Sequence, residues 1–294
     1  MQTALTTATR QPETMPSQAE SDQQLIALWI NSHASEHTRR AYAADVARLL
    51  AYTGGKSLAA TTLADLQAFA ESMSALSAGS RKRTINAIKS LLSFGQKVGY
   101  LRFNIGAAIK APKPKNTLAQ RILTEAEVHA MIALTRKQRD QVLLRLLYAS
   151  AGRVSEVCAL TWQDAQPNGD SGQVTLFGKG EKTRAVVLSA QTWQALQATR
   201  PAGAKATDPI FASQKGGSLD ESQVHRIVRA AAKRAGIAGN VSPHWLRHSH
   251  ATHALDRGAS IALVRDTLGH SSLSVTSMYT HAKPSESSAL HLSV

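Results

Sequence analysis

From residue 22 to residue 109 the apolar positions recur at three- and four-residue intervals, the spacing of one helix face. In TRRAYAADVARLLAY, residues Tyr42, Val46, Leu49 and Leu50 share such a face. Thr61 or Thr62 stands where a cap would open a short helix over LADLQAFAESM. A third helix is predicted over RKRTINAIKSLLSFGQKVG, with Ile85, Ile88 and Leu92 on its apolar side. Another face of that helix carries Lys82, Asn86, Lys89, Ser93 and Lys97, a polar stripe with three lysines.

The segment APKPKNTLAQ (111–120) has the composition of an extended linker. Helical patterning then resumes. Thr124 and Glu127 have the spacing of a capping box, and QVLLRLLYAS and VSEVCALTW follow. The one clear β signal is SGQVTLF and TRAVVL around GKGEK, which reads as a hairpin. SLDESQVHRIVRAAAKRAG, PHWLRHSHATHALDRG and IALVRDTLGH return to helical spacing. The expected fold is mainly α with a small antiparallel β-sheet. Its expected parts are a disordered tail over 1–21, a helical domain over 22–109, a linker over 110–120, and a second domain with a C-terminal tail over 121–294.

Composition narrows the function. Hydrophobic residues make up 43% of the 294 positions and aromatic residues 5%, so the cores rest on Leu, Ala, Val and Ile. No apolar run approaches the ~18 residues of a membrane span, and the first twenty-one residues lack the apolar block of a signal peptide. The one cysteine, Cys158, forms no internal disulfide and sits in the apolar run VSEVCAL, as a buried thiol would. A cytoplasmic protein is expected. The formal charge of +14 points to a polyanion. Between Glu71 and Glu125 there is no acidic residue, while Arg81, Lys82, Arg83, Lys89, Lys97, Lys113 and Lys115 fall in that interval. One-sided charge of this kind suits a surface that tracks DNA phosphates.

The second domain carries the candidate chemistry. Arg153, Lys179 and Arg247 are cations, and His244 and His270 are hydrogen-bonding groups. An arginine fork matches phosphate oxygens and stays charged at any working pH, so the set suits a phosphate group. Glu156, three residues after Arg153, is placed to orient it. A metal-dependent nuclease would need clustered carboxylates, and the sequence offers none beside these cations. His244, His248, His250 and His253 crowd one stretch, but no nearby carboxylate or cysteine completes a metal set. A tyrosine hydroxyl can attack a phosphate whose developing charge is stabilised by cations, and Tyr279 follows the cations in the chain.

Four blocks, LLYASAGRVSEVCALTW, LFGKGEKTRAVVL, SPHWLRHSHATHAL and LGHSSLSVTSMYTH, stand in the order found in the tyrosine recombinases, or phage integrase superfamily. The chain resembles that family from about residue 22 to residue 282, and its compact layout resembles the Xer-like type. The resemblance implies a two-domain DNA clamp, with a helical SAM-like core-binding domain and an α+β catalytic domain. It implies site-specific recombination of double-stranded DNA, serving integration, excision or dimer resolution. No ATP, metal or other cofactor is implied. The implied assembly is a homo-tetramer on paired DNA sites, with room for an accessory DNA-binding protein or a partner recombinase. By position, Arg153 and Arg247 would clamp the scissile phosphate and Lys179 would protonate the departing 5′-oxygen. His244 would serve as base toward the tyrosine, His270 would bind the phosphate, and Tyr279 would be the nucleophile of a 3′-phosphotyrosyl intermediate. The chain departs from the family in two places. Ala151 stands where the family often has glycine, with Gly152 directly before the arginine, and His250 stands where an aromatic residue is usual. Ala289, Leu290 and Leu292 are the apolar residues of the tail with which a neighbouring protomer could dock.

Overall fold

Hydroxyl side chains start the first four helices. Ser21 accepts a bond from Gln24 N–H at the start of α1 (Asp22–Asn31), and Ser35 accepts from Thr38 N–H at α2 (Glu36–Tyr52). Thr62, rather than Thr61, caps α3 (Leu63–Ser72) in a reciprocal pair with Asp65, and Ser77 caps α4 (Ala78–Lys97). Each cap satisfies an N–H that a helix leaves free and contributes about 1 kcal/mol. The computed structural model describes residues 17–113, 118–178, 183–270 and 272–279. The chain divides into two units, Met1–Lys115 and Asn116–Val294.

In the first unit, Leu25 and Trp29 of α1 meet Val46 and Leu49 of α2, Leu66 and Phe69 of α3, and Ile85, Ile88, Leu91 and Leu92 of α4. The indole of Trp29 stacks on Tyr42 with ring centroids 5.1 Å apart. Asp45 is wholly buried on α2 and accepts hydrogen bonds from Thr84 Oγ1 at 2.8 Å and Arg83 Nη2 at 2.9 Å. Residues 17–21, expected in a disordered tail, pack on this unit instead. Ala19 is buried, and Gln18 N–H donates to the carbonyl of Val98. A short polar segment gains order because its backbone finds a partner at the end of α4.

In the second unit, Thr124 and Glu127 form the expected capping box at α5 (Glu125–Ala133). Then come α6 (Gln138–Ala149) and the short α7 (Val154–Cys158). The expected hairpin is present as β2 (Ser171–Phe177) and β3 (Thr183–Leu188), and β1 (Ala165–Asn168) adds an edge in the antiparallel order β1-β2-β3. Gly172, Val174 and Leu176 face inward along β2, with Val174 opposite both Ala165 and Val186. The helix α8 (Ala190–Gln197) lays Trp193 over Gly172, where an added Cβ would stand 2.1 Å from the indole. The chain continues through α9 (Glu221–Arg234), α10 (Pro243–Asp256) and α11 (Ile261–Leu268), then a helical turn Leu273–Thr276 and a 3₁₀ turn Ser277–Tyr279. Leu143, Leu146 and Leu147 of α6, Val157, Val174, Leu176, Val224, Val228 and Leu246 share one core. Cys158 is buried within it, and burial first, then Glu221 and Asp220, push its thiol up to about 11. Among the described residues no helix is long and apolar enough to cross a membrane.

Candidate active site

The turn before α7 aims Arg153. Ala151 takes φ 48°, in the left-handed region that glycine enters without strain. Gly152 has no room for a side chain, since a Cβ there would lie 2.6 Å from Val157 Cγ2. The alanine thus accepts the conformation that a glycine would hold freely, and the adjacent glycine supplies the close approach. Glu156, one turn into α7, accepts from Arg153 N–H at 2.8 Å and Arg153 Nη1 at 2.7 Å.

A second arginine shares that carboxylate. Arg184 of β3 donates Nη2 to Glu156 Oε2 at 2.7 Å and Nε to the carbonyl of Thr267 at 2.7 Å. Burial works to raise the Glu156 carboxyl, but hydrogen bonds from Arg184 and Arg153 outweigh it and hold the group at about 2. A depressed carboxyl stabilises the fold above its ordinary pKa and loses that contribution as pH falls toward about 2. Glu156→Gln is therefore expected to lower stability at neutral pH by about 3 kcal/mol. It should also remove the share of the acid-induced loss below about pH 5 that protonation of this carboxylate causes. Urea unfolding at several pH values measures both.

Pro243 occupies the first turn of α10, where its missing N–H is not needed. His244, Arg247 and His248 follow at intervals that put them on one side of the helix. Arg247 is buried and donates Nη1 to the carbonyl of Ala151 and Nη2 to the carbonyl of Leu268 at 2.6 Å. Burial, then Arg153 and Arg184, bring its pKa down to about 10, so it stays charged at neutral pH. The acceptor Leu268 is the last residue of α11, which Gly269 ends in the left-handed conformation. A Cβ on Gly269 would lie 3.1 Å from Arg184 Nη1. His270 comes next, with Nδ1 3.0 Å from Thr276 Oγ1.

Tyr279 packs in a small cluster with Ala151, Ala251, Val264 and Leu268 and is 3% exposed. Its ring lies 6.4 Å from that of His270, nearly parallel to it. Its hydroxyl lies 2.8 Å from Nδ1 of His248, not of His244. Burial raises the phenol's pKa, and Arg247 pulls the other way. Burial, then Arg247 and Arg153, bring His270 down to about 4, and burial and Arg247 also lower His244. The structure thus brings Arg153, His244, Arg247, His270 and Tyr279 together around a cationic focus. Lys179 lies outside the described residues, beyond the last hairpin pair, Phe177 opposite Thr183.

Two participants were not singled out for this site from sequence. Arg184 sits in a short apolar strand, and nothing local marks it as the partner of a carboxylate twenty-eight residues away. His248 stood only among four crowded histidines. The structure separates these, because His250 Nδ1 donates to the Tyr148 carbonyl and His253 Nδ1 meets the Tyr148 hydroxyl, both at 2.8 Å. Among the described residues no group of three or more His, Cys, Asp or Glu is placed to hold a metal ion.

The first unit's cations divide by surroundings. Lys82, Lys97 and Lys113 are exposed. Arg83 is tied to Asp45, and Lys89 donates its ammonium to the carbonyl of Ile109. Arg81 is half-buried, with its Nε in no hydrogen bond. Lys115 lies outside the described residues, as do Ala289, Leu290 and Leu292.

Comparison with known proteins gives a concordant result. The pattern of the phage integrase family matches residues 121–286, and that of the phage integrase N-terminal SAM-like domain matches residues 22–97. The chain is 35% identical over 270 residues to a XerC tyrosine recombinase of Xanthomonas campestris pv. campestris, covering 87% of this chain and 82% of that one. It is 32% identical over 279 residues to a XerC of Mycobacterium sp. (strain KMS), covering 87% and 92%. Among solved structures, a lambda integrase dimer on a COC′ core site matches in fold with a TM-score of 0.75, at 18% identity, over 90% of this chain and 95% of that one. A XerH recombinase bound to a palindromic difH substrate matches with a TM-score of 0.72, at 23% identity, over 90% and 82%. The chain belongs to the phage integrase family. It is a tyrosine recombinase of the Xer-like kind, an enzyme of site-specific DNA recombination.

Proposed function

We propose that Tyr279 attacks the scissile phosphodiester of duplex DNA while Arg153, Arg247, His244 and His270 hold its oxygens. The Oη–P bond forms as the P–O5′ bond breaks, leaving a 3′-phosphotyrosyl link. The departing 5′-oxygen takes a proton from Lys179. The adduct keeps the energy of the broken bond, so a second strand's 5′-hydroxyl can reverse the step and complete an exchange without ATP or metal. The convergence of Tyr279 with two arginines from distant segments supports this reading. Arg81, Lys82, Arg83, Lys89, Lys97, Lys113 and Lys115 would track the DNA backbone, with Asp45 fixing the direction of Arg83. A homo-tetramer on paired sites, in the cytoplasm, is the expected assembly, open to an accessory protein or a partner recombinase. Integration, excision and dimer resolution all use this chemistry.

The test is capture of the covalent complex, followed by sequencing of the attached DNA, which names the site. On a nicked duplex that traps the adduct, the rate in EDTA should match the rate in magnesium within about twofold, since cations of the protein carry the charge stabilisation. An adduct that forms only with added divalent metal would refute the metal-free step.

A further inference from the structure

We propose that His248 is the residue that takes the phenolic proton of Tyr279 when the tyrosine attacks DNA. The inference rests on the reading of Tyr279 as nucleophile. A general base must reach the atom it deprotonates at about 2.6–3.2 Å, and His248 Nδ1 is 2.8 Å from Tyr279 Oη, with the two rings 5.6 Å apart. His244 lies one helical turn earlier and keeps a solvent-facing edge, its ring 6.4 Å from that of His248. The two histidines thus divide the face of α10, the outer one open to a phosphate and the inner one against the phenol.

The proton inventory is complete. In the Nε2–H tautomer, Nδ1 is free to accept. The Tyr279 O–H bond breaks and its proton passes to His248 Nδ1, while Oη bonds to phosphorus. The P–O5′ bond breaks, and its oxygen collects a proton from the general acid assigned above to Lys179. In religation the attacking 5′-hydroxyl gives its proton to Lys179 as P–O5′ forms, and His248 returns its proton to the tyrosine as P–Oη breaks.

The surroundings keep the acceptor neutral until substrate arrives. Burial first, then His244 and Arg247 of α10, Arg121 of the turn before α5, and His270 after α11, bring His248 down to about 4. An imidazole in that state is unprotonated at neutral pH, the form an acceptor needs. A phosphodiester held by Arg153 and Arg247 adds a negative charge beside it, which raises a histidine's pKa. The substrate itself thereby strengthens the base.

The test compares adduct formation on a nicked duplex by the wild type, His248→Ala and His248→Gln from about pH 6 to about pH 10. Each is repeated with 3-fluorotyrosine at position 279, whose hydroxyl ionises more readily. His248→Ala should slow cleavage by about 100-fold near neutral pH. The defect should shrink as pH rises and with the fluorinated tyrosine, because a phenol that ionises unaided needs no acceptor. His248→Gln keeps a polar partner but gains no proton, so it should be equally slow, with DNA affinity unchanged within about threefold. A defect constant with pH and fluorination would overturn the proposal, as would wild-type speed in His248→Gln. Faster adduct formation in His248→Ala would overturn it too, by making the bond a restraint on the tyrosine. If His248→Ala does not fold, His248→Gln decides alone. Peptide mapping of the wild-type adduct separates the two readings. An adduct elsewhere than Tyr279 refutes the nucleophile, whereas an adduct at Tyr279 with normal cleavage by the His248 variants refutes this inference only.

Discussion

Tyr279→Phe should bind DNA as the wild type does and form no covalent complex. Phenylalanine keeps the ring that packs against Ala151, Ala251, Val264 and Leu268 and loses only Oη with its bond to His248. A single hydrogen bond of this kind contributes about 1 kcal/mol, so the fold should survive. Arg153 and Arg247 keep their bonds to Glu156 and to the carbonyls of Ala151 and Leu268, none of which involves the phenol. DNA affinity in a gel shift should stay within about threefold of wild type, because backbone charge contacts dominate it. On a denaturing gel, the band carrying labelled DNA should vanish. A persistent band would place the nucleophile elsewhere.

Arg247→Ala should separate cleavage from binding by a wide margin. Arg247 is buried, and its two described hydrogen bonds run to the backbone, one to the turn before α7 and one to the end of α11. It therefore places its charge by anchoring two segments of the site. Its loss should cut the cleavage rate by about 10²–10³. Affinity should fall less than about tenfold, since the other lysines and arginines proposed to track the backbone would remain. Stability should fall too, as two buried carbonyls lose a charged donor at about 1–3 kcal/mol each. Arg247→Lys keeps a charge without the fork and should recover part of the stability but little of the rate. Equal losses of cleavage and affinity would show that the residue serves ground-state binding only.

The sequence was most legible where structure is local. The Thr124–Glu127 capping box, the apolar face of α4 and the β2–β3 hairpin all follow from neighbours a few residues apart. The strand β1 escaped, because AQPN has no apolar alternation and pairs through its backbone at a sheet edge, where proline is tolerated. The helix α8 carries little apolar signal, since the residues it buries are Thr192 and Leu196. The link from Glu156 to Arg153 was readable at three residues' distance, whereas its link to Arg184 is created by the sheet packing on α7. The pairing of Tyr279 with His248 rather than His244 turns on one helical turn of depth along α10, which spacing alone does not resolve.

The Glu156 triad also sets the charge balance of the chemistry. Among the described residues, the guanidinium groups of Arg153 and Arg184 bond to the carboxylate of Glu156, and that of Arg247 feels its charge. With the histidines neutral, these four groups hold an excess of two positive charges, before Lys179 is counted. A bound phosphodiester carries one negative charge. A five-coordinate phosphorus attacked by a deprotonated tyrosine carries close to two. The described cations thus outweigh the single charge of the substrate, and the charge that grows on phosphorus during attack meets a surplus already in place, which favours the species at the top of the barrier over the bound substrate.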